Sequence, residues 1–303
     1  MRVVLPGGAG FVGRNLIRVM IDEGFKPEDI TVIDNSKRNL EFLEKYQVKE
    51  ILADLAEKGD WYDEFNGKEL VINLAAQISS PSYEPFYRNT VLTTKNVLDA
   101  AKIAGLKRII HFGSAAVYSI RKDAYAQTKL EGEELVKNSG LEYCILHPSL
   151  MYGPTDDKNI GFLIEFAKKL PCFPIPGHGK WPRQPIYIDD VCHLIISMMH
   201  NFPENKVYSI NGRDVIYFKD MIKIVLKQLD GFKFRVFLPI SLFKFLMMAY
   251  QKLSGEIQFT ADQVDSLTAK EVFPNYPWWD EFNIKITSFD EGVKRMLSYS
   301  GGL

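Results

Sequence analysis

The sequence contains few cysteines and no metal-ligand spacing. Its three cysteines, Cys144, Cys172 and Cys192, are widely separated and form no Cys-x-x-Cys pair. Three dispersed cysteines favour neither a zinc site nor a disulfide framework. We therefore expect a reduced, cytoplasmic protein that binds no metal.

The sequence also lacks a long apolar run. A membrane-spanning helix needs about 20 apolar residues, so we expect no membrane span. Residues 1–13 hold only a short apolar run before their glycines, which is not typical of an export signal. The most apolar later stretch, residues 236–250, is interrupted by Pro239 and Lys244. It predicts a buried or substrate-lining helix, with a helix at a membrane surface as the alternative.

An excess of charge of either sign is absent as well. Lys and Arg number 37, Asp and Glu number 38, and the formal net charge is -1. A chain with this balance has no general attraction for nucleic acid or for an anionic membrane surface. The composition therefore predicts one or two globular domains and no nucleic-acid partner.

Short β-rich runs alternate with helical patterns in the first half of the chain. The strand-length runs are residues 2–5, 30–33, 48–52, 70–74, 108–112 and 141–146. The main helical stretches, each followed by a glycine, are residues 11–23, 89–104 and 125–139. This alternation predicts an α/β fold with a doubly wound parallel (Rossmann) sheet. We expect a dinucleotide-binding domain over residues 1–150 and a smaller substrate-binding lobe, interleaved with it, over residues 151–303.

A glycine-rich turn follows the first predicted strand. In GGAGFVG, residues 7–13, Gly7, Gly10 and Gly13 recur every three residues between a strand and a helix. Gly7 suits a tight turn, Gly10 the close approach of a pyrophosphate, and Gly13 the packing of helix on sheet. The pattern predicts a dinucleotide site, although a glycine turn alone is weakly specific.

Asp34 strengthens this interpretation. It ends the second predicted strand about 20 residues after the glycines, where a carboxylate accepts hydrogen bonds from an adenosine ribose. Because a 2′-phosphate would be repelled there, NAD is favoured over NADP, and the nearby Lys37 and Arg38 soften that preference. The alternative is that Asp34 is an ordinary turn residue.

A tyrosine and a lysine stand one helical turn apart in AYAQTKLEGEEL, residues 124–135. Tyr125 and Lys129 share a helix face, and a second pair, Tyr118 and Lys122, has the same spacing. For either pair alone, an aromatic ring lying on an aliphatic stem is the simpler interpretation.

Nine short motifs follow one another over roughly residues 1–215. They are GGAGFVG (7–13), VIDN (32–35), LADL (52–55), NLAA (73–76), NTVLTTKNVLDAA (89–101), HFGSAAVY (111–118), YAQTK (125–129), HPSLMYGP (147–154) and RQPIYIDDV (183–191). Individually most are weakly specific, but nine in one order are a specific pattern. In this order they resemble the motifs of the extended short-chain dehydrogenases/reductases, the NAD-dependent epimerase/dehydratase family that includes nucleotide-sugar epimerases.

The resemblance implies a set of cofactor-binding residues. They are Gly7, Gly10, Phe11, Val12 and Gly13 in the turn, Asp34 and Asn35 after the second strand, Asp54 and Leu55 near the adenine, Leu74, Ala75 and Ala76 toward the nicotinamide ribose, Pro148 beside the nicotinamide, and Tyr125 with Lys129.

The resemblance also implies a catalytic trio of Ser114, Tyr125 and Lys129. A free tyrosine, with a pKa of about 10, is a poor base at neutral pH. A lysine ammonium and the positive nicotinamide ring favour the phenolate and lower that pKa, so Tyr125 can exchange a proton with a sugar hydroxyl as hydride moves. Lys129 would also contact the nicotinamide ribose, and Ser114 would hold the reacting oxygen.

The substrate implied by the resemblance is a nucleotide sugar. Arg183 matches a position that contacts the diphosphate, with an ion pair to Asp189 or Asp190 as the alternative. Ala115 and Ala116 replace the Asp-Glu pair of the 4,6-dehydratases, which leaves epimerisation or keto-sugar reduction. Helices 89–104 and 125–139 correspond to those that pair subunits in relatives, so a homodimer is expected.

The chain departs from the family pattern at several positions. Pro6 precedes the glycine turn, His147 stands where arginine is common, and Leu92 stands where glycine is usual. The short spacing between Ser114 and Tyr125 removes a loop that shapes the sugar pocket, and resembles atypical members that bind a dinucleotide without turning it over. A non-catalytic dinucleotide-binding protein is therefore the alternative function.

Overall fold

The computed structural model describes residues 1–119, 122–169, 171–229, 234–254 and 272–299. The strands are β1 Val3–Pro6, β2 Ile30–Asp34, β3 Lys49–Leu52, β4 Leu70–Asn73, β5 Arg108–Phe112, β6 Glu142–Pro148, β7 Met151–Tyr152, β8 Cys172–Pro176, β9 Pro182–Arg183, β10 Ile186–Tyr187, β11 Lys206–Ile210, β12 Ile216–Tyr217 and β13 Phe234–Leu238.

The α-helices are α1 Phe11–Asp22, α2 Lys37–Glu41, α3 Tyr83–Phe86, α4 Thr93–Ile103, α5 Ala124–Lys137, α6 Ile160–Lys169, α7 Ile188–His200, α8 Phe218–Gln228, α9 Ile240–Ser254, α10 Trp278–Glu281 and α11 Phe289–Ser298. A π-helical segment, Tyr87–Leu92, leads into α4. Short 3-10 helices are Pro27–Asp29, Glu44–Tyr46, Asp60–Phe65 and Ala115–Tyr118.

The chain divides into two compact units. The first contains residues 1–149, 188–211 and 273–285, and the second contains the described residues within 150–187, 212–272 and 286–303. The chain therefore crosses between the units several times.

A seven-stranded sheet forms the centre of the first unit. Its strand order is β11, β6, β5, β4, β1, β2, β3, and every neighbouring pair is parallel. The order runs outward in both directions from β1 and β4, which is the doubly wound arrangement, so the predicted fold class is confirmed. Where the direction reverses, the carboxyl ends of β1 and β4 border a crevice that suits a ligand.

The central strands are apolar because both sheet faces are covered. All residues of β1, β2 and β4 are buried. A strand buried on both faces cannot alternate between apolar and polar residues, which is why the sequence shows continuous Val and Ile runs. All six predicted strands are present, whereas the seventh, β11, was not predicted.

The second unit contains three two-stranded sheets, pairing β7 with β10, β8 with β13 and β9 with β12. Its core joins α6, α8 and α11 through apolar side chains that include Ile164, Ile222 and Val293. The helix predicted over residues 236–250 is only partly correct, because residues 236–238 belong to strand β13 and the helix, α9, begins at Ile240 after Pro239. This helix is buried on one side only, since Phe243 and Met247 pack inward whereas Phe245 is 62% exposed. None of the helices in the described ranges has both the length and the apolar character needed to cross a bilayer.

Candidate active site

The glycine turn connects β1 to α1 and leaves the start of the helix accessible from the turn. Gly10 is the N-cap, supplies no side-chain cap, and is followed by a first turn without acidic residues. A Cβ on Gly10 would meet only the Gly7 carbonyl oxygen, at 3.4 Å. The helix start therefore offers unsatisfied backbone N–H groups and the positive end of the helix dipole, which suits the pyrophosphate of a dinucleotide.

The other glycines of the turn are required by close backbone contacts. Gly7 has a φ of +73°, and a Cβ there would lie 2.5 Å from the Ala75 Cα. A Cβ on Gly13 would lie 2.1 Å from the Gly8 carbonyl oxygen, so Gly13 packs on the turn itself rather than on the sheet. Gly8, which the three-residue spacing did not single out, would bring a Cβ to 2.8 Å from the Leu5 Cβ.

The segment after β4 lies against this turn. Leu74 donates its N–H to the Pro6 carbonyl at 2.9 Å, and Asn73 Oδ1 accepts the Ala75 N–H at 3.3 Å. Leu74, Ala75 and Ala76 are partly exposed. The structure thus brings two predicted parts of the cofactor site together at the crevice between β1 and β4.

Asp34 ends β2 and fixes the glycine turn. Its carboxylate accepts the Ala9 N–H at 3.1 Å and the Ser36 N–H at 3.0 Å. Burial raises the pKa of the Asp34 carboxyl, opposed by these amides and by the charge of Arg14. The carboxylate also accepts the Asn35 N–H, and of its roughly four lone-pair sites this leaves about one for a ribose hydroxyl. Asn35, next in the chain, is exposed.

The two residues predicted near the adenine have different surroundings. Burial favours a higher pKa for the Asp54 carboxyl, but hydrogen bonds from the Arg88 guanidinium and the Ala56 amide outweigh it and lower that pKa. The Arg88 Nη2 lies 2.8 Å from Asp54 Oδ2. Leu55 packs its side chain into the hydrophobic core of the first unit. Arg88 was not identified from the sequence, because it lies 34 residues from Asp54.

Ser114 and Tyr125 meet beyond the end of β5. The Ser114 hydroxyl is hydrogen-bonded to the Tyr125 phenol. The same Ser114 oxygen accepts the Ala116 N–H at 3.2 Å and so caps the 3-10 helix Ala115–Tyr118. Tyr125 stands in the first turn of α5, which Asp123 caps by accepting the Ala126 N–H at 2.9 Å.

Lys129, one turn along α5, is directed at the protein backbone. It is 3% exposed, and its Nζ donates to the Phe112 carbonyl at 2.6 Å. Burial lowers the pKa of Lys129 to about 8, opposed by the charge of Glu133. The ammonium is therefore held at the end of β5, two residues before Ser114.

In the protein without NAD, the pKa of Tyr125 is shifted in the direction opposite to the one expected for the NAD-bound site. The sequence predicted a phenol pKa lowered by Lys129 and the nicotinamide, but burial raises it, and the hydrogen bond from Ser114 only partly offsets that. The reason is desolvation of the phenolate. The protein groups alone thus keep Tyr125 a phenol, and the positive nicotinamide ring is the remaining charge that favours the phenolate.

A buried group next to Lys129 was not identified as functional from the sequence. Glu133, which is 1% exposed, accepts from His147 Nε2 at 2.8 Å, and His147 is itself 3% exposed. His147 Nδ1 lies 2.8 Å from the hydroxyl of Tyr118, which is 43% exposed. An acidic residue at i+4 from Lys129, on the buried face of a predicted helix, was the available signal.

Four predicted residues remain to be located. Phe11 and Val12 begin α1, directly after Gly10, and are partly exposed. Pro148 is buried at the end of β6, opposite Ile210 of β11. Arg183 lies in β9 of the second unit, where its guanidinium donates to the Pro182 carbonyl. Asp189, the alternative partner of Arg183, is paired with Arg18. Among the described residues, no group of three or more His, Cys, Asp or Glu side chains is placed to hold a metal.

Comparison with known proteins identifies relatives over most of the chain. The model of the NAD-dependent epimerase/dehydratase family matches residues 3–211. The chain is 31% identical over 221 residues to the 3beta-hydroxysteroid-dehydrogenase/decarboxylase isoform 2 of Arabidopsis thaliana, covering 63% of this chain and 39% of that protein. It is 28% identical over 195 residues to the ceramide reductase of Caulobacter vibrioides, covering 64% and 60%. The chain therefore spans less than two thirds of the length of these relatives.

Solved structures share the fold over nearly the whole chain. The UDP-glucose 4-epimerase of Thermotoga maritima, solved with UDP-glucose, has a TM-score of 0.79 at 18% identity and covers 99% of this chain and 98% of its own. The enzyme WbmG of Bordetella bronchiseptica, solved with NAD and UDP, has a TM-score of 0.76 at 19% identity and covers 100% and 96%.

Proposed function

Because the chain belongs to the NAD-dependent epimerase/dehydratase family, we propose that it uses NAD to act on a sugar hydroxyl or keto group of a nucleotide sugar. The reaction is epimerisation through a transient keto-sugar, or net reduction of a keto-sugar. The observation that carries this proposal is the hydrogen bond between Ser114 and Tyr125, located beyond β5 at the carboxyl edge of the sheet that also bears the glycine turn.

The residues of the first unit fit the cofactor. The accessible start of α1 would hold the pyrophosphate, and Asp34 would accept from the adenosine ribose. Leu74, Ala75 and Ala76 would line the nicotinamide side of the crevice, with Pro148 beyond them. Bound NAD supplies a hydride acceptor, and in its reduced form a hydride donor.

Tyr125 would carry the proton that accompanies hydride transfer. When the substrate carbon loses hydride, its hydroxyl proton would pass to a Tyr125 phenolate, which becomes a phenol. When a keto group gains hydride, the Tyr125 phenol would give that proton to the keto oxygen and become a phenolate. Ser114 would hydrogen-bond the reacting oxygen, and Lys129 would contact the nicotinamide ribose. Because burial favours the neutral phenol, the protein groups alone favour donation of a proton from Tyr125 to a keto oxygen. The reverse transfer requires a phenolate, which the positive nicotinamide ring favours.

The nucleotide sugar is supported by the solved structures of the same fold. The Thermotoga maritima epimerase was solved with UDP-glucose, and WbmG with UDP. Arg183 of the second unit would bind the diphosphate through its planar guanidinium. Ala115 and Ala116, which follow Ser114, provide no acid or base for dehydration. We further propose that the protein is a cytoplasmic homodimer that pairs through α4 and α5.

A second candidate is the oxidation or reduction of a hydroxyl or keto group on an apolar lipid. It is favoured by exposed apolar side chains on one side of α9, namely Leu242, Phe245, Leu246 and Met248. The relatives of Arabidopsis thaliana and Caulobacter vibrioides are named for a hydroxysteroid and for ceramide. An apolar surface of this kind is typical of a protein that meets apolar ligands or membranes.

A thermal-shift screen with NAD present distinguishes the candidates, because a ligand that binds only the folded state raises the melting temperature. UDP-sugars are expected to raise it and to support turnover followed by NADH absorbance or product analysis. Stabilisation and turnover with detergent-solubilised sterol or ceramide, and none with UDP-sugars, would establish the second candidate instead. Tyr125→Phe should bind NAD normally and lose turnover; a protein that only holds NAD would bind neither substrate class.

A further inference from the structure

A lysine buried in the protein interior needs a nearby negative charge to remain an ammonium. Lys129 has one carboxylate on its own helix face, that of Glu133, one turn along α5. Desolvation penalises the ammonium, and Glu133 is the group whose charge opposes that penalty. The Phe112 carbonyl accepts a hydrogen bond from the ammonium but carries no net charge.

His147 holds the Glu133 carboxylate in place. A carboxylate only accepts hydrogen bonds, so the proton of a neutral His147 sits on Nε2, 2.8 Å from Glu133 Oε1. His147 Nδ1 then accepts the hydroxyl proton of Tyr118 at 2.8 Å. The Tyr118 hydroxyl is also hydrogen-bonded to Ser209 of β11. Tyr118 thereby fixes the tautomer that points a proton at Glu133.

Gly113, the residue before Ser114, lies against the side chains of Glu133 and His147. A Cβ on Gly113 would lie 2.5 Å from both Glu133 Oε1 and His147 Cδ2. Only glycine leaves space for the carboxylate and the imidazole at the end of β5. The residue next to Gly113 is Ser114, so the pair also supports the loop that presents the serine hydroxyl.

His111 is another titratable side chain near Lys129, besides Tyr125 on the same helix face and the His147 that bonds Glu133. His111 is fully buried on β5, and its Nδ1 lies 3.1 Å from Asn73 Nδ2. Burial, together with the charge of Lys129, holds the pKa of His111 well below its usual value. His111 is therefore neutral and supplies no counter-charge, which leaves Glu133 in that role.

We propose that Glu133, oriented by His147 and Tyr118, is the counter-charge that keeps Lys129 a cation, and that these residues are positioning residues of the site. This inference rests on the proposed function for its catalytic meaning. Its electrostatic content, the support of the Lys129 charge by Glu133, is independent of that function and of bound NAD.

The first test measures stability of the protein without NAD. Because the folded pKa of Lys129 is about 8 and lies below its unfolded value of 10.5, the unfolded state binds more protons between these pH values. The buried ammonium therefore lowers the unfolding free energy by its full amount below pH 8. This penalty decreases as the pH rises from about 8 toward 10.5. The difference in unfolding free energy between the protein and its Lys129→Met variant isolates this penalty. We call the pH at which the penalty begins to fall its onset.

Glu133→Gln keeps the shape and an acceptor for His147 but removes the charge. We expect the onset to move downward by about one pH unit or more, the typical effect of a close opposite charge. Glu134→Gln is the matched control, since Glu134 is the exposed neighbour on α5, paired with Lys137. An onset that does not move in Glu133→Gln, or that moves equally in Glu134→Gln, would overturn the proposal.

Tyr118→Phe removes the hydroxyl that bonds His147 in the Glu133–His147 pair. Because Tyr118 is exposed, this variant should disturb folding least. It frees the His147 tautomer, so we expect the onset to move in the same direction as in Glu133→Gln but by less. Tyr87→Phe, at another exposed tyrosine, should leave the onset unchanged. If Tyr118→Phe leaves the onset unchanged as well, the tautomer argument fails.

Activity links the inference to the site. In Glu133→Gln the alkaline limb of the turnover profile should shift to lower pH by an amount similar to the onset, with Glu134→Gln unchanged. A shifted onset with an unshifted activity profile would remove Glu133 from the catalytic site while leaving its electrostatic role. Retained turnover in Tyr125→Phe would contradict the proposed function. It would not affect the conclusion drawn from the onset in Glu133→Gln.

Discussion

The Ser114 hydroxyl is hydrogen-bonded to the Tyr125 phenol, although one follows β5 and the other begins α5. The bond crosses a short connection, and the same serine oxygen caps a 3-10 helix through the Ala116 N–H. The serine is thus fixed from two sides. A hydroxyl held in this way can orient both the phenol and the oxygen on which the phenol is proposed to act.

Ser114→Ala should reduce turnover by about 10²- to 10³-fold, the usual effect of removing one hydrogen-bond donor from a reacting oxygen. NAD affinity, measured by calorimetry, should stay within a factor of two to three because Ser114 is not assigned to the cofactor. The helix cap is lost too, at about 1 kcal/mol of stability.

Ser288→Ala is the matched control for the lost cap. Ser288 caps α11 in the second unit by accepting the Glu291 N–H at 3.3 Å. It should show a similar loss of stability in denaturant unfolding and full turnover. Equal turnover in the two variants would mean that Ser114 only caps its helix.

The parts of the site that the sequence predicted depend on local pattern. Gly7, Gly10 and Asp34 follow strands that are continuous apolar runs, so their position at the carboxyl edge of a parallel sheet follows from strand ends alone. Tyr125 and Lys129 share a face because four residues make about one helical turn. These relationships need no knowledge of which elements touch.

The remaining contacts depend on packing between distant elements. Lys129 bonds the Phe112 carbonyl 17 residues away, and Glu133 meets His147 across 14 residues. No periodicity relates a helix face to a particular strand end. The spacing also did not reveal that burial raises the Tyr125 pKa when only protein groups surround the phenol, because desolvation is a property of the packed site.

The glycine turn predicts opposite behaviour for two of its alanine variants. Gly10→Ala places a Cβ where the nearest protein atom is 3.4 Å away, so stability should change by only a few tenths of a kcal/mol. Its methyl would point into the space proposed for the pyrophosphate, and NAD affinity should fall at least tenfold. Calorimetric titration and thermal unfolding measure the two effects.

Gly13→Ala is the counterpart. Its Cβ would lie 2.1 Å from the Gly8 carbonyl oxygen, so overpacking should cost about 1–3 kcal/mol of stability. If Gly10→Ala binds NAD as tightly as the unaltered protein, the pyrophosphate does not sit at the start of α1.

The three cysteines should differ sharply toward a thiol reagent. Cys144 is fully buried, and burial raises its pKa to about 12, so at pH 8 only about one molecule in ten thousand carries the thiolate. Burial also raises the pKa of Cys192 well above its usual value. Cys172 is partly exposed. Since the thiolate is the reactive form, one fast thiol is expected in the native protein and three in denaturant.

Cys172→Ser supplies the control for this assignment. The variant should show no fast thiol at pH 8 in the native state and two in denaturant, followed with a chromogenic disulfide reagent. Fast labelling that persists in Cys172→Ser would show that β6 or α7 opens often enough to expose Cys144 or Cys192.

Gly113→Ala and Gly132→Ala form a matched pair around the buried carboxylate. On Gly113 a Cβ would lie 2.5 Å from Glu133 Oε1 and from His147 Cδ2, and both of these side chains are buried. We expect a loss of about 1–3 kcal/mol in unfolding free energy. Because Ser114 is the next residue, turnover should fall along with stability.

Gly132, by contrast, lies within α5 with no atom nearer than 3.6 Å to an added Cβ. Alanine there should stabilise the protein by about 0.5–1 kcal/mol, since glycine loses more conformational entropy in a helix. Urea unfolding of the two variants compares Gly113, where an added Cβ is crowded, with Gly132, where it is not, and both positions adjoin the buried Glu133. Equal stability in both would mean that the carboxylate and imidazole can move aside, and that the pair is not held as tightly as its hydrogen bonds indicate.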